Sequence, residues 1–365
     1  MKRFVLTLLF LLLPVIPANA NSELVIASST HRDINGIFIN DRLAALIAPD
    51  GQLGRAVFNK ARSATSISID IALIEELQDL ADGYQFKNES GAVVDAPPLL
   101  AASNWLETLR RSVATKKVAA LPYGNPDREF LERRAPGEYR FYKELAAARL
   151  SGFLGATVDE SESVGRSAAG LAARELHNGY RAELRRIYNL VAAPEVTALR
   201  LQLGKVLNPA IPAPDLAALL EPLRAALIAN SQKLRVLGGN YTITTPQYDL
   251  PVTVINDFSI PVTVTLSGRA TNSRVMITEL APITVAANSQ LQVELPLDIL
   301  ASGATDLEIT LRDKSGRVVG KSATFPLRLA VISPLTTWFT TGMAIILLLA
   351  AAIQSVRRVK KRKRV

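Results

Sequence analysis

The sequence predicts an α+β multidomain chain. It comprises a partial parallel α/β (barrel-like) unit, a helical segment, an immunoglobulin-like antiparallel β-sandwich and one transmembrane helix. Three observations carry this. Short apolar strands alternate with amphipathic helices over the first part of the exported chain. Beyond Tyr241 apolar and polar residues alternate in the manner of half-buried strands. An uncharged apolar run, 335–354, stands directly before a dense cluster of bases. At 365 residues the chain exceeds one ordinary domain. The expected boundaries are 1–20 signal peptide, 21–160 α/β unit, 161–236 helical segment, 237–332 sandwich, 335–354 transmembrane helix and 355–365 basic cytoplasmic tail.

The amino end has Lys2 and Arg3, an apolar run from Phe4, and Ala18-Asn19-Ala20, the small-x-small pattern of signal cleavage. With no cysteine in the chain, neither a lipoprotein anchor nor a disulfide framework is expected. Within 21–160, segments 24–27, 67–71 and 118–121 read as strands, and 153–158 as a fourth. Segments 41–48, 53–61, 73–81 and 99–113 read as helices. Strand–helix alternation implies a parallel sheet covered on its faces, and so few strands cannot close an eight-stranded barrel.

From 164 to 236 the pattern is helical, with Leu176, Leu184, Ile187 and Val191 at helical spacing and breaks at Pro212 and Pro214. His177 is placed on the polar side of the first of these helices, as a solvated side chain. Later, Val252/Val254, Val262/Val264/Leu266, Leu291/Val293/Leu295 and Leu307/Ile309/Leu311 alternate, with turn signals at Asn256-Asp257 and Ser315-Gly316. The apolar run 335–354 matches the thickness of a bilayer core, and Trp338 and Phe339 suit its interface. Seven bases follow between Arg357 and Arg364, and the positive-inside bias holds them in the cytoplasm. No sortase motif precedes the run, so the expected product is a single-pass protein of the cytoplasmic membrane with its bulk outside.

Charge excludes a function class. The formal charge is +9, from 42 Lys+Arg against 33 Asp+Glu, but nine of the bases lie at the two ends. The rest of the chain is balanced, so it offers no cation cluster for nucleic acid. No HExxH, GxSxG or Walker pattern occurs, and no catalytic residue, metal-ligand set or cofactor is assigned. Polar residues do follow the predicted strands. His31 and Asp33 follow the first, Asp70 ends the second, and Tyr123 and Asp127 follow the third. Ligands of parallel sheets bind at the strands' carboxyl ends, so these five form the candidate ligand groove. Their plainer reading is as caps and turn residues, as Pro122–Asp127 suggests by itself. The alternative is a hydrolase or deacetylase of a wall polysaccharide, using Asp70 with His31, Asp33 or Asp127.

Several stretches occur in a recognisable order. They are His31-Arg32-Asp33-Ile34-Asn35-Gly36, Ala48-Pro49-Asp50-Gly51, Ile69-Asp70-Ile71, Ala81-Asp82-Gly83-Tyr84, Leu121-Pro122-Tyr123-Gly124-Asn125-Pro126-Asp127, and Leu250-Pro251-Val252-Thr253-Val254-Ile255-Asn256-Asp257. In this the chain resembles a shortened member of an uncharacterised actinobacterial family of secreted, C-terminally membrane-anchored proteins, often encoded beside the lipid II flippase. Family members usually carry a further β-rich domain before the His-Arg-Asp stretch, and often Asp where this chain has Asn125. The resemblance implies a cell-envelope location and a binding or scaffold role in peptidoglycan assembly. The implied partners are the membrane, the flippase or other wall-synthesis proteins, and a wall glycan.

Overall fold

The computed structural model describes residues 23–165, 167–330 and 334–362, with side chains in the last stretch described for 341–355. The predicted signal peptide lies outside the described residues. The chain forms two compact bodies. The first runs through Arg174 and takes in Leu201–Leu220; the second holds Glu175–Arg200 and the chain from Glu221.

The first body begins with β1 (Glu23–Ile26), β2 (Ile37–Phe38), α1 (Arg42–Ile47) and α2 (Gln52–Arg55), which runs into a π-helical turn at Ala56–Lys60. There follow β3 (Ser66–Ile69), α3 (Ile71–Asp82), β4 (Tyr84–Lys87), β5 (Val93–Ala96), α4 (Leu100–Val113) and β6 (Lys117–Ala120). It continues with α5 (Arg128–Arg134), α6 (Pro136–Leu154) and β7 (Asp159–Glu160). The order β1-β3-β6-β7 is wholly parallel. Ile67, Ser68 and Ile69 are all buried, as a strand covered on both faces requires. Asp70 caps α3, whose Ile71, Ile74, Leu77 and Leu80 are buried. On α4 the stripe Ala102, Trp105, Leu106, Leu109 and Val113 is buried, and Trp105 Nε1 donates to the Leu53 carbonyl at 3.0 Å.

The segment expected as a fourth strand at 153–158 is corrected. Pro136 opens a 19-residue helix that reaches Leu154, and Gly155 ends it at φ 67. Only Asp159–Glu160 then reaches β6. A second sheet, β2-β4-β5, was not foreseen. Its strands are too short and too exposed to print a clear alternation.

Three helices follow: α7 (Leu171–Leu190), α8 (Pro194–Lys205) and α9 (Ala213–Ser231), the last with Pro222 inside it. His177 is fully buried, against the expectation of a solvated side chain. It stands seven residues before Leu184, on the buried stripe, and burial, aided by Arg181, pushes its pKa down to about 3.

The second body's strands are β8 (Leu234–Leu237), β9 (Tyr241–Ile243), β10 (Gln247–Asn256), β11 (Val262–Ala270), β12 (Val275–Ile277) and β13 (Ile283–Val285). They continue with β14 (Ser289–Ile299), β15 (Gly303–Arg312) and β16 (Val318–Leu329). They make one curled, largely antiparallel sheet in the order β12-β14-β10-β8-β16-β15-β11-β13, with β9 beside β16. β8 joins the two halves, antiparallel to β10 and parallel to β16. Val252, Val254, Val264, Leu266, Leu295, Leu307, Ile309 and Phe325 form its buried face. Leu291, expected inward, is exposed.

Asn256 pins this sheet. Fully buried at the end of β10, its Nδ2 donates to the carbonyls of Ile260, Val285 and Ala286 at 2.9–3.2 Å, and its Oδ1 accepts from the Phe258 N–H at 3.0 Å. Asn256→Ala should lower the unfolding free energy by about 3 kcal/mol, because several buried backbone groups lose their partner together. Urea titration at fixed pH measures it, and a loss within experimental error of zero would show the knot to be dispensable.

α10 (Pro334–Arg362) ends the described chain. Among the described residues no helix is long and apolar enough to cross a membrane. The predicted span 335–354 begins before the first described side chain of α10, at 341.

Candidate functional site

The carboxyl ends of β1, β3 and β6 gather the polar residues of the first body. Asp70 follows β3 directly and is buried. Its Oδ1 accepts from the Ala72 and Gly124 N–H groups, each at 3.0 Å. Burial pushes its pKa up to about 7, against the pull of those two hydrogen bonds; Glu76 adds to the rise and Lys205 opposes it.

Glu76 lies on the same helix, α3. Its Oε1 accepts from Lys205 Nζ and from Thr30 Oγ1, both at 2.6 Å, and its Oε2 accepts from the His31 N–H at 3.0 Å. Burial works against its charge, yet Lys205, His31 and the hydrogen bonds together hold its carboxyl below the usual range. Both side chains of the Lys205–Glu76 pair are almost completely buried, at 3% and 1% exposure. Lys205 is the last residue of α8, where an ammonium complements the helix dipole.

Around this pair the loops are tied together. Asn208 Nδ2 donates to the carbonyls of Ser28 and Gly124, at 3.0 and 2.9 Å. His31 Nε2 lies 3.1 Å from Ser28 Oγ, and burial pulls its pKa down although Glu76 pulls the other way. Gly124 has φ 76, and a Cβ there would fall 2.8 Å from Lys205 Cγ. The space left between Ser28, Thr30, Asp70, Glu76 and Lys205 is about 10 Å³, the least that holds one water molecule.

Of the five sequence-predicted residues, His31 and Asp70 meet at this cluster. Asp33 does not: its Oδ1 accepts from the Asn35 and Ile37 N–H groups, at 2.9 and 3.0 Å, and shapes a turn. Asp127 caps α5, accepting from the Phe130 and Ala169 N–H groups at 2.9 Å. Tyr123 donates its O–H to Glu75, burial and that carboxylate raise its pKa, and the Arg149 guanidinium lies 5.5 Å from its ring centre. Glu76, Lys205, Thr30 and Asn208 were missed. Glu76 alone carried a signal, as an acid between Leu73 and Leu80 on an apolar helical stripe. Among the described residues, no group of three or more acids or histidines is placed to hold a metal ion.

Several solved structures overlap part of the chain. Escherichia coli alpha-2-macroglobulin does so at 11% identity and TM-score 0.22, over 26% of this chain and 16% of that one. The ASH/PapD-like domain 7 of human CEP192 matches at 13% identity and TM-score 0.22, over 28% and 86%. The CARDB domain of a Pyrococcus furiosus protein matches at 20% identity and TM-score 0.20, over 28% and 93%. The chain spans 16%, 6% and 7% of three alpha-2-macroglobulin chains it matches. Overlaps of this extent carry no argument about fold or function. No curated protein matches the chain. Residues 215–363 match the model of a family of unknown function (DUF6049), an uncharacterised domain that takes in α9 from its third residue, the whole curled sheet and α10.

Proposed function

We propose that this is a single-pass cell-envelope protein that holds its two bodies outside the cytoplasmic membrane as a binding scaffold in peptidoglycan assembly. The lipid II flippase or another wall-synthesis protein is its proposed partner. The signal-like amino end, the apolar run 335–354 and the basic tail support the location. One observation supports binding over catalysis. The ligand position of the parallel sheet is filled by the buried Lys205–Glu76 pair, which leaves room for about one water molecule. Asp33 and Asp127 are committed to backbone N–H groups.

Removing residues 21–330 from the chromosomal copy should alter cell shape and raise sensitivity to wall-directed antibiotics. Protease added to intact, wall-stripped cells should release both bodies. Normal shape and sensitivity, or bodies that resist the protease until the cells are lysed, would overturn the proposal.

One feature favours the hydrolase or deacetylase alternative: Asp70, at about 7, holds a proton near neutrality, as a general acid must. That alternative requires Asp70→Asn to abolish the wall phenotype's complementation; the scaffold role requires complementation to persist.

A further inference from the structure

We propose that a second, open groove in the first body binds a neutral oligosaccharide, with Tyr84 as its aromatic wall and Arg32, Asp82, Gln85 and Asp95 as its hydrogen-bonding rim. The groove measures about 480 Å³, within the range of small-molecule sites. It is built where the end of α3 meets β4 and β5, apart from the filled carboxyl end of the parallel sheet.

Its chemistry is that of a sugar site. Tyr84 is half-buried, held edge-on against Phe38 with ring centres 5.3 Å apart and tilted on Phe86 at 5.9 Å, so it stands as a fixed surface. Planar side chains surround it. Gln85 Nε2 donates to Asp95 Oδ1 at 2.9 Å, and Arg32 forms an ion pair with Asp79. Such groups offer paired donors and acceptors to vicinal hydroxyls. The Asp82 carboxylate makes no hydrogen bond or ion pair among the described residues, and it stands in the last turn of α3, which has no base to offset the dipole. An acid in that place has no folding role to explain it and is free to accept hydroxyl donors. Gly36 leaves the approach clear, since a Cβ there would have nothing within 4 Å.

Charge selects among polymers. Three aspartates against one arginine, beside a helix carboxyl end, repel phosphate- and carboxylate-bearing glycans and admit uncharged ones. This deepens, and rests on, the exported binding role proposed above.

The test is saturation-transfer NMR and calorimetry on the full chain in detergent. The probes are the β-1,4-linked N-acetylglucosamine tetramer and a β-galactan tetramer, with cadaverine as a cation control. At least one saccharide should bind the native chain. Asp82→Ala with Asp95→Ala, both on exposed side chains, should weaken it by about tenfold or more, while Glu107→Ala, an exposed acid on α4 outside the groove, leaves it unchanged. No saccharide binding at about 10 mM, equal binding by the double variant, or binding of cadaverine alone would overturn the proposal. A wall phenotype on deletion without saccharide binding sinks the groove and spares the scaffold role. Saccharide binding without a wall phenotype does the reverse.

Discussion

Lys205→Met is expected to lower the unfolding free energy by about 3–5 kcal/mol, enough to leave the first body marginal. The substitution keeps an unbranched side chain, one heavy atom shorter, and removes the ammonium together with its hydrogen bond to Glu76. Glu76 then remains as a buried carboxylate that accepts from Thr30 and the His31 N–H. Bringing an anion out of water is expensive, and two hydrogen bonds do not offset the loss of an ammonium at 2.6 Å. Glu76 should respond by taking up a proton, so the loss should shrink as pH falls. Adding Glu76→Gln in the Lys205→Met background should recover a large part of it, since no uncompensated charge is left. Chemical denaturation of the four chains at neutral pH makes the double-mutant cycle. A loss below about 1 kcal/mol for Lys205→Met would mean that the pair is solvated and that the site is open.

Asp70→Asn should change how stability depends on pH. In the folded chain this carboxyl titrates at about 7; unfolded, it titrates near 3.8. Between those values the native state keeps a proton that the unfolded chain releases. Stability from this source is therefore complete below 3.8 and is lost as pH rises towards 7. From pH 5 to pH 8 the native chain should lose about 3 kcal/mol through Asp70. In Asp70→Asn that contribution disappears, while Oδ1 can still accept from the Ala72 and Gly124 N–H groups. The comparison is the difference between the two chains at pH 5 and at pH 8, which cancels the opposite slopes of His31 and Glu76. Parallel profiles would show that Asp70 is ionised throughout.

Much of the topology was legible because periodicity is local. β1, β3 and β6 announced themselves as short apolar runs after which a helical stripe began, and the alternation of β10, β11 and β15 gave their inward faces. Errors arose where local pattern and tertiary demand differ. The residues at 153–154 are as apolar as a strand, yet α6 had already been nucleated at Pro136 and ran on to Gly155. His177 is polar by type but occupies a buried helical position. β2, β4 and β5 are too short to show a period. The site was legible by half. Strand ends pointed to Asp70 and His31, whereas Lys205 stands 129 residues from Glu76, and no spacing rule links the two. The groove beside Tyr84 was invisible for the same reason, since it is assembled from three separate segments.

The first body is discontinuous: its centre waits for Lys205, which follows the whole of α7 and closes α8. A polypeptide that leaves the ribosome amino end first presents Glu76 long before its counter-ion. Until residue 205 has emerged, the early strands must fold around an unneutralised anion or hold it protonated. Order of emergence thus ties completion of the first body to delivery of the helices that follow it, and a chain interrupted before Asn208 has no means of closing its own core.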